Sequence, residues 1–165
     1  MFRLLWLVPA IPFASFLVLA LIGSRIPKKA AAVIGVCSIA ASAVISILII
    51  WGFLASPPPG DSYTQVLWTW IDVAGFRPQI AFYLDALSLI MTLVVTFVSF
   101  LIHLYSMDFM IGSEGYSRFF AYMNLFVASM VTLLLADNLL LLYLGWEGVG
   151  LCSYLLIGFW YTDPK

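Results

Sequence analysis

Residues 136–160 read ADNLLLLYLGWEGVGLCSYLLIGFW, a long apolar run with one carboxylate, Glu147, near its middle. A helix from Asn138 to Trp160, at about 1.5 Å per residue, would be just long enough to cross a lipid bilayer. Glu147 would then lie within about 3 Å of the bilayer midplane. Placing a carboxylate there costs roughly 2.5–3.5 kcal/mol, so we expect a compensating interaction or a function.

The composition of the whole chain agrees with a membrane location. Of its 165 residues 64% are hydrophobic and 9% are charged, whereas a soluble domain carries about 25% charged residues. The net charge is -1, and no basic patch favours nucleic-acid binding. Cys37 and Cys152 lie in apolar runs without a CxxC pair or a Cys/His cluster. The sequence therefore predicts an integral membrane protein with no metal site or cofactor of its own.

Five apolar segments are long enough to span a bilayer, which takes about 20 helical residues. Each must be helical, because lipid offers no hydrogen-bond partner to free backbone groups. The predicted fold is therefore an all-α integral membrane domain with five transmembrane helices. They cover Leu4–Ile22, Ala30–Leu54, Leu84–Tyr105, Phe119–Ala136 and Asn138–Trp160.

The basic residues favour one orientation of these helices. Arg25, Lys28 and Lys29 follow the first segment and only Arg3 precedes it, and loops rich in Lys and Arg stay in the cytoplasm. This predicts an N-terminus on the outer side. Alternation from there places five basic residues inside and two outside, so the five-helix prediction is self-consistent.

The long connection over residues 55–83 carries a strand pattern. It begins with Ser56-Pro57-Pro58-Pro59-Gly60, which should end the second helix. Gln65–Val73 is rich in β-branched and aromatic residues, a turn is expected at residues 74–76, and Gln79–Tyr83 is a second apolar run. We predict a β-hairpin over residues 65–83 on the outer, periplasmic side. Two strands alone are marginal in water, so it should pack against something.

The third helix carries a polar stripe along one face. Its members are spaced 3, 4, 4, 3 and 4 residues apart, the period of a helix face: Asp85, Ser88, Thr92, Thr96, Ser99 and His103. Such a stripe should face protein or water, and it either hydrogen-bonds neighbouring helices or holds a file of waters. His103 is a candidate proton relay or a satisfied interface histidine. Asp85, like Asp137 and Asn138 before the fifth helix, is a candidate helix cap or proton-transfer group.

The fifth helix repeats this pattern around its single acid. Tyr143, Glu147, Gly150 and Tyr154 are spaced 4, 3 and 4 and should share one face. Small residues surround the acid, so another helix can come close, and a local bulge is possible. No Lys or Arg lies inside the five predicted segments, so a cation for Glu147 must come from elsewhere. Glu147 is either a charge switch that such a cation controls or a protonated structural acid.

Two stretches of the chain carry a family resemblance. They are FYLDALSLIMTLVVTFVSFLIHLYSMDFM at 82–110 and YSRFFAYMNLFVASMVTLLLADNLLLLYLGWEGVGLCSYLLIGFWY at 116–161. Both resemble the antiporter-like subunits of respiratory complex I, the proton-pumping NADH:quinone oxidoreductase. The resemblance implies that Glu147 is the mid-membrane acid of the fifth helix, which works with a lysine on the seventh. It also covers Asp85 and His103, without assigning them roles.

The resemblance further implies partners and a location. The chain would be a fragment, the N-terminal third of the largest such subunit, in a bacterial cytoplasmic membrane or mitochondrial inner membrane. Its neighbours would be lipid and other membrane-arm subunits, with the hairpin over 65–83 as a contact. NADH, FMN, the iron–sulfur clusters and quinone would bind to other subunits. Family members continue beyond a fifth helix, so this chain would hold only part of a proton path.

The expected function is proton translocation as one subunit of this oxidoreductase. Glu147 would exchange protons or bias a partner lysine by its charge, and His103 with the polar stripe would connect this site to the inner side. Asp85 is a further candidate. Two alternatives remain: a subunit of a related Na⁺/H⁺ antiporter, and a structural or assembly module that only braces the membrane arm.

Overall fold

The computed structural model describes residues 1–73 and 75–161. Within these residues five long helices form a bundle: α1 Leu7–Ile22, α2 Lys28–Ala55, α3 Ala86–Phe109, α4 Tyr116–Leu135 and α5 Leu139–Ile157. All five are long and apolar enough to cross a membrane, α1 together with the 3₁₀ turn Phe2–Leu4 before it. The prediction of five spanning helices is confirmed, with ends that differ by a few residues.

The C-terminal ends of α3 and α5 differ from the prediction by four and three residues. α3 continues past Tyr105 to Phe109, because Ser106 is buried and the hydroxyl of Tyr116 donates to the carbonyl of Met107 at 2.9 Å. The polar residues that suggested a loop therefore form the last helical turn. α5 stops at Ile157 instead of Trp160, and Gly158 begins a turn.

α4 is the central helix of the bundle, because it contacts all four others, whereas α5 packs mainly on α4. Apolar side chains of α4 enter a separate core cluster at each end of the bundle. Between the two clusters lies Asn124, which is fully buried. Its Nδ2 donates to the carbonyl of Phe120 at 2.8 Å, and its Oδ1 accepts from the hydroxyl of Ser38 on α2 at 2.5 Å. The middle of the bundle is therefore polar, although every helix is apolar overall.

The predicted hairpin is present between α2 and α3. Strands β1 (Tyr63–Thr69) and β2 (Gln79–Leu84) pair antiparallel. The prediction of a first strand to Val73 was wrong, because Pro78 has no N–H to continue the ladder and the Arg77–Asp72 ion pair closes a separate loop at 2.7 Å. Of the predicted turn, Ala74 lies outside the described residues.

The hairpin covers one end of the bundle. Ala81, Phe82 and Leu84 of β2 are buried, and Phe82 and Leu84 join the core cluster at that end. The backbone N–H of Asp137, just before α5, donates to the carbonyl of Ala81 at 3.1 Å. The expectation that the two strands pack against another element is therefore met.

The connections separate into two groups at opposite ends of the bundle. The side-chain amide of Gln65 in β1 bonds with the backbone of Arg3 and Trp6, so the N-terminus lies beside the hairpin. At the other end, the Lys28 ammonium donates to the carbonyls of Ile111 and Ser113 at 2.9 and 3.3 Å. When each of five helices crosses the bilayer once, successive connections must alternate between the two ends of the bundle.

Candidate functional site

α5 packs on α4 through its small residues. A Cβ at Gly145 would lie 2.7 Å from the backbone nitrogen of Leu133, and one at Gly148 would lie 2.5 Å from the hydroxyl oxygen of Ser129. Cys152 lies on the same face of α5 and is fully buried. The small residues near Glu147 therefore bring a helix close, as predicted, but that helix is α4, on the side of α5 away from the acid. α5 is also a regular α-helix throughout, without the bulge considered from its sequence.

The opposite side of α5, which we call the free face, carries Tyr143, Glu147, Gly150 and Tyr154. All four are exposed, and the two tyrosines are 61% and 76% exposed. A Cβ at Gly150 would meet nothing within 4 Å. These residues share one face, as their spacing predicts, and the Tyr143 phenol lies beside the Glu147 carboxylate. Among residues 1–73 and 75–161, Arg77 and Asp72 form the only ion pair. Within these residues, Glu147 is therefore not paired with a Lys or Arg side chain.

The depth of Glu147 makes this arrangement costly in lipid. α5 runs from Leu139 to Ile157, and Glu147 lies one residue from its centre. A charged carboxylate at the bilayer centre costs roughly 2.5–3.5 kcal/mol when only lipid surrounds it. A charged Glu147 therefore requires a covering element or water from outside the described residues.

His103 lies completely buried in the C-terminal half of α3. Its Nδ1 is 2.7 Å from the carbonyl oxygen of Ser99, and its ring meets the edge of Phe120 of α4 at 6.0 Å between centroids. A carbonyl only accepts, so Nδ1 carries the hydrogen and Nε2 becomes an acceptor. Nε2 has no hydrogen-bond partner within the described part of the chain. This buried nitrogen therefore has room for one more hydrogen bond, which the described residues do not supply.

A polar seam runs between α2, α3 and α4. It consists of Ser38, Ser42 and Ser46 of α2, Thr92, Thr96 and His103 of α3, and Asn124 of α4, all buried. Thr96 donates to the carbonyl of Thr92 at 2.8 Å, but the Thr92 hydroxyl itself has no partner in the described residues. Thr92 and Ser46, together with six apolar residues, line a cavity of about 10 Å³, which is at the lower limit of the space that one water needs. The stripe of the third helix therefore faces protein.

The α2 and α4 members of the seam were missed from sequence. Ser38, Ser42 and Ser46 are spaced by four, which is a helix-face signal of the same kind as the α3 stripe. Asn124 is the only amide side chain within α4. A serine hydroxyl can donate a hydrogen bond to a backbone carbonyl of its own helix. The serine pattern on α2 alone therefore does not distinguish a buried face from one that faces lipid.

Asp85 is the N-cap of α3. Its carboxylate accepts from the backbone N–H of Ser88 at 2.8 Å, and the hydroxyl of Ser88 accepts from the backbone N–H of Asp85 at 2.8 Å. The Ser88 N–H bond holds the pKa of Asp85 below its usual value of 3.8. Asn138 caps α5 in the same way through Leu141 N at 3.1 Å, whereas Asp137 pairs with the hairpin.

Replacing Asp85 by Ala should lower the free energy of unfolding of the full-length subunit by about 1 kcal/mol, the usual value of an N-cap. The folded pKa is depressed, so this contribution is complete above the unfolded pKa of 3.8. It disappears as the pH falls through the lower folded pKa. SDS-induced unfolding in detergent, at neutral pH and at steps below 3.8, measures it. Asp108→Ala, an exposed acid in the last turn of α3, is the control, and an equal loss there would contradict the capping assignment.

The structure does not bring the three predicted site residues together. Asp85 lies at the hairpin end of α3 and His103 lies in the bundle towards the opposite end. Glu147 faces away from α4 on α5. Any path between His103 and Glu147 must therefore pass around or through α4.

Two parts of the chain match models of known protein families. Residues 70–120 match a family model described as NADH-ubiquinone oxidoreductase (complex I), chain 5 N-terminus. Residues 136–165, which include Glu147, match one described as NADH:quinone oxidoreductase/Mrp antiporter, TM.

Curated relatives of the chain carry the name NADH-quinone oxidoreductase subunit L. That of Escherichia coli (strain K12) is 54% identical over 155 residues, which is 94% of this chain and 25% of that protein. That of Pseudomonas aeruginosa is 51% identical over 152 residues, 92% of this chain and 25% of that protein. That of Rickettsia typhi is 40% identical over 155 residues, 94% of this chain and 23% of that protein. The chain therefore spans about a quarter of the length of the curated relatives it matches.

Proposed function

The chain belongs to the family of NADH-quinone oxidoreductase subunit L, of whose length it spans about a quarter, and from this membership we propose that it is part of a proton-translocating subunit. The observation that carries the proposal is the position of Glu147, an acid at mid-span on the free face of α5. Quinone reduction elsewhere in the complex would drive proton transfer through this acid. NADH, FMN, the iron–sulfur clusters and quinone are then bound by other subunits.

Glu147 acts in this proposal as a charge switch. A cation on a covering helix, the lysine that the family resemblance implies, stabilises the carboxylate while it is near and releases it to a proton when it moves away. Charges separated by a few ångströms interact far more strongly in a dry interior than in water. Displacement of one cation is therefore sufficient to change the protonation of Glu147.

The polar seam supplies the hydrated part of the path. The hydroxyl of Thr92 and Nε2 of His103, which have no partner among residues 1–73 and 75–161, lie on one face of α3. A water in the small cavity between Thr92 and Ser46 would satisfy the first of these groups. His103 then exchanges protons with the inner side, while the Asp85–Ser88 capping box closes the seam at the hairpin end.

Replacing His103 by Leu in the full-length subunit should reduce proton uptake per NADH oxidised on the order of tenfold, because a positioned proton carrier typically accounts for that much or more. Dye quenching in vesicles that contain the complex measures the uptake. The matched variant is His103→Gln, which keeps hydrogen-bonding groups but cannot carry a proton. Equal loss in both variants supports the relay, whereas recovery in His103→Gln would mean that the buried ring is only structural.

The exposed side of the hairpin is the proposed contact with a neighbouring subunit. Trp68, Trp70 and Phe76 are 59%, 51% and 57% exposed at this end of the bundle. Aromatic residues of this kind are enriched in the centres of protein interfaces. With the N-terminus beside it, the hairpin lies on the outer side of a bacterial cytoplasmic membrane or mitochondrial inner membrane, as the basic connections at the opposite end favour.

The ion is tested by driving the complex with NADH in sealed vesicles and following proton uptake with and without sodium. We expect uptake that does not need sodium and that collapses with a protonophore. A gradient that forms only with sodium would favour the antiporter alternative, which the family description at residues 136–165 also names. Vesicles in which the complex lacks this subunit serve as the control, and unchanged uptake there would contradict the proposal.

A further inference from the structure

A cleft of about 580 Å³ opens at the end of the bundle opposite the hairpin, between the last turn of α1 and the first turns of α4. Its lining is divided along the helix axes. Leu19 and Ala20 of α1 and Ala121 and Tyr122 of α4 lie further from the helix ends. The polar lining residues, Ser24, Lys28, Ser117 and Arg118, lie at the helix ends. The cleft is therefore apolar towards the membrane interior and cationic at the surface.

The two cations of the cleft have only neutral partners among the described residues. Lys28 donates to two backbone carbonyls and lies 5.9 Å from the centre of the Tyr116 ring. The guanidinium of Arg118 lies 3.5 Å from the carbonyl oxygen of Phe159 and 5.1 Å from the centre of its ring. The nearby acid Glu114 is exposed and makes no ion pair with either within the described ranges. Within the described residues, neither cation of the cleft is therefore paired with a carboxylate, although Glu114 lies beside Arg118 in a neighbouring pocket.

The first turn of α4 adds to this positive end. Its N-cap is Gly115, in the left-handed region at φ 77° and without a side chain to accept from the first N–H groups. Free N–H groups at a helix start carry partial positive charge and favour anions. Ser117 and Arg118 belong to this first turn, so backbone and side-chain donors lie together in the cleft.

We propose that this cleft binds the phosphate group of an anionic phospholipid. Basic pockets between spanning helices at the membrane surface suit lipid phosphates, and the cleft lies where α1 ends and α4 begins. The neighbouring surface of α1 is apolar and open, with Leu17 43% and Leu21 76% exposed, and offers a track for the acyl chains. A soluble anion would use the cations but not this apolar wall. The site is independent of the proton-transfer role of Glu147.

Photo-cross-linking to the full-length subunit in phosphatidylcholine vesicles tests the site. The probes are a photoactivatable phosphatidylglycerol and the matching phosphatidylcholine, and peptides that contain residues 19–24 or 115–122 are quantified by mass spectrometry. We expect phosphatidylglycerol to label these peptides in preference to phosphatidylcholine. Lys28→Gln and Arg118→Gln should each lower that preference about fivefold, as expected for one basic residue at a membrane surface.

Two further variants separate charge from folding. Lys29→Gln removes the same charge from an exposed position outside the cleft and should lower the phosphatidylglycerol preference much less than either cleft variant. Ala20→Trp fills the apolar wall but keeps both cations, and should also reduce labelling. Absence of preference in the unaltered protein, or an equal loss in Lys29→Gln, would overturn the proposal. Displacement of the label by millimolar inorganic phosphate would show a soluble-anion site and overturn the lipid assignment.

Discussion

Glu147→Gln in the full-length subunit is expected to lower NADH-driven proton uptake on the order of tenfold or more. Glutamine matches glutamate in size and keeps a carbonyl oxygen, but it neither releases a proton nor attracts a cation. In this variant the side chain can therefore neither exchange a proton nor influence a partner lysine by its charge. Dye quenching in sealed vesicles, normalised to NADH oxidised, measures the effect.

The same variant distinguishes a working acid from a structural one. A permanently protonated glutamate is a neutral hydrogen-bonding group, and an amide of the same shape replaces it with little change. If proton uptake and quinone reduction both survive in Glu147→Gln, the acid only holds helices together, and the bracing-module alternative gains support. Glu114→Gln makes the same chemical change in an exposed connection and should leave both activities intact.

A graded variant adds the charge requirement. Glu147→Asp keeps the carboxylate but withdraws it towards the α5 backbone by one methylene. We expect partial proton uptake. The interaction energy of two charges within about 4 Å of each other changes steeply with their distance in a low dielectric, so the shorter side chain weakens the pair without abolishing it. Uptake as low as in Glu147→Gln would mean that the position of the carboxylate matters as much as its charge.

The periodicity of α5 predicts which residues share a face, but not which face is covered. Tyr143, Glu147 and Tyr154 group together in the structure as their spacing requires. That α4 covers the opposite side follows from Gly145 and Gly148, whose missing side chains admit Leu133 and Ser129. The sequence marks these glycines as small, and only the fold shows that they serve α4 and not a partner of the acid.

The polar residues of α3 show a second limit. Their spacing predicts a stripe that avoids lipid, and the burial of Ser88, Thr92, Thr96 and His103 agrees. The sequence cannot tell whether these residues hydrogen-bond neighbouring helices or hold a file of waters, because that depends on whether each hydroxyl has a protein acceptor. Thr96 finds one on its own helix, whereas Thr92 and His103 retain an unpartnered atom in the described chain.

The hairpin shows how local propensity is overridden. Residues 70–73 are strand-like in composition, but the partner strand begins only at Gln79, after Pro78. Proline lacks the N–H that a longer ladder would need. The strands themselves are stabilised by the burial of Ala81, Phe82 and Leu84 on the bundle. The strand pattern predicts that the hairpin needs such support, but not which residues supply it.

Gly145→Ala is expected to destabilise the full-length subunit strongly. The new Cβ would lie 2.7–2.8 Å from Leu133 backbone atoms, and backbone cannot rotate away, so α4 and α5 must separate. Overpacking of this kind costs about 3 kcal/mol at the upper end of its range, against about 1 kcal/mol gained from the helix propensity of alanine. The net loss should appear as unfolding at lower SDS content and as less subunit in the assembled membrane complex.

Two related glycines turn this into a series that tests the free face itself. Gly148→Ala would approach the Ser129 hydroxyl, which can change rotamer, and the Ser129 Cβ at 2.9 Å, which cannot. Its loss should be clear but smaller than that of Gly145→Ala, which meets backbone atoms of Leu133. Gly112→Ala, in a connection where a Cβ meets nothing within 4 Å, should cost little. If Gly145→Ala were as harmless as Gly112→Ala, α4 would not lie against this side of α5. Glu147 would then have no defined side on which to await a partner, and the charge switch would lose its geometric basis along with the packing.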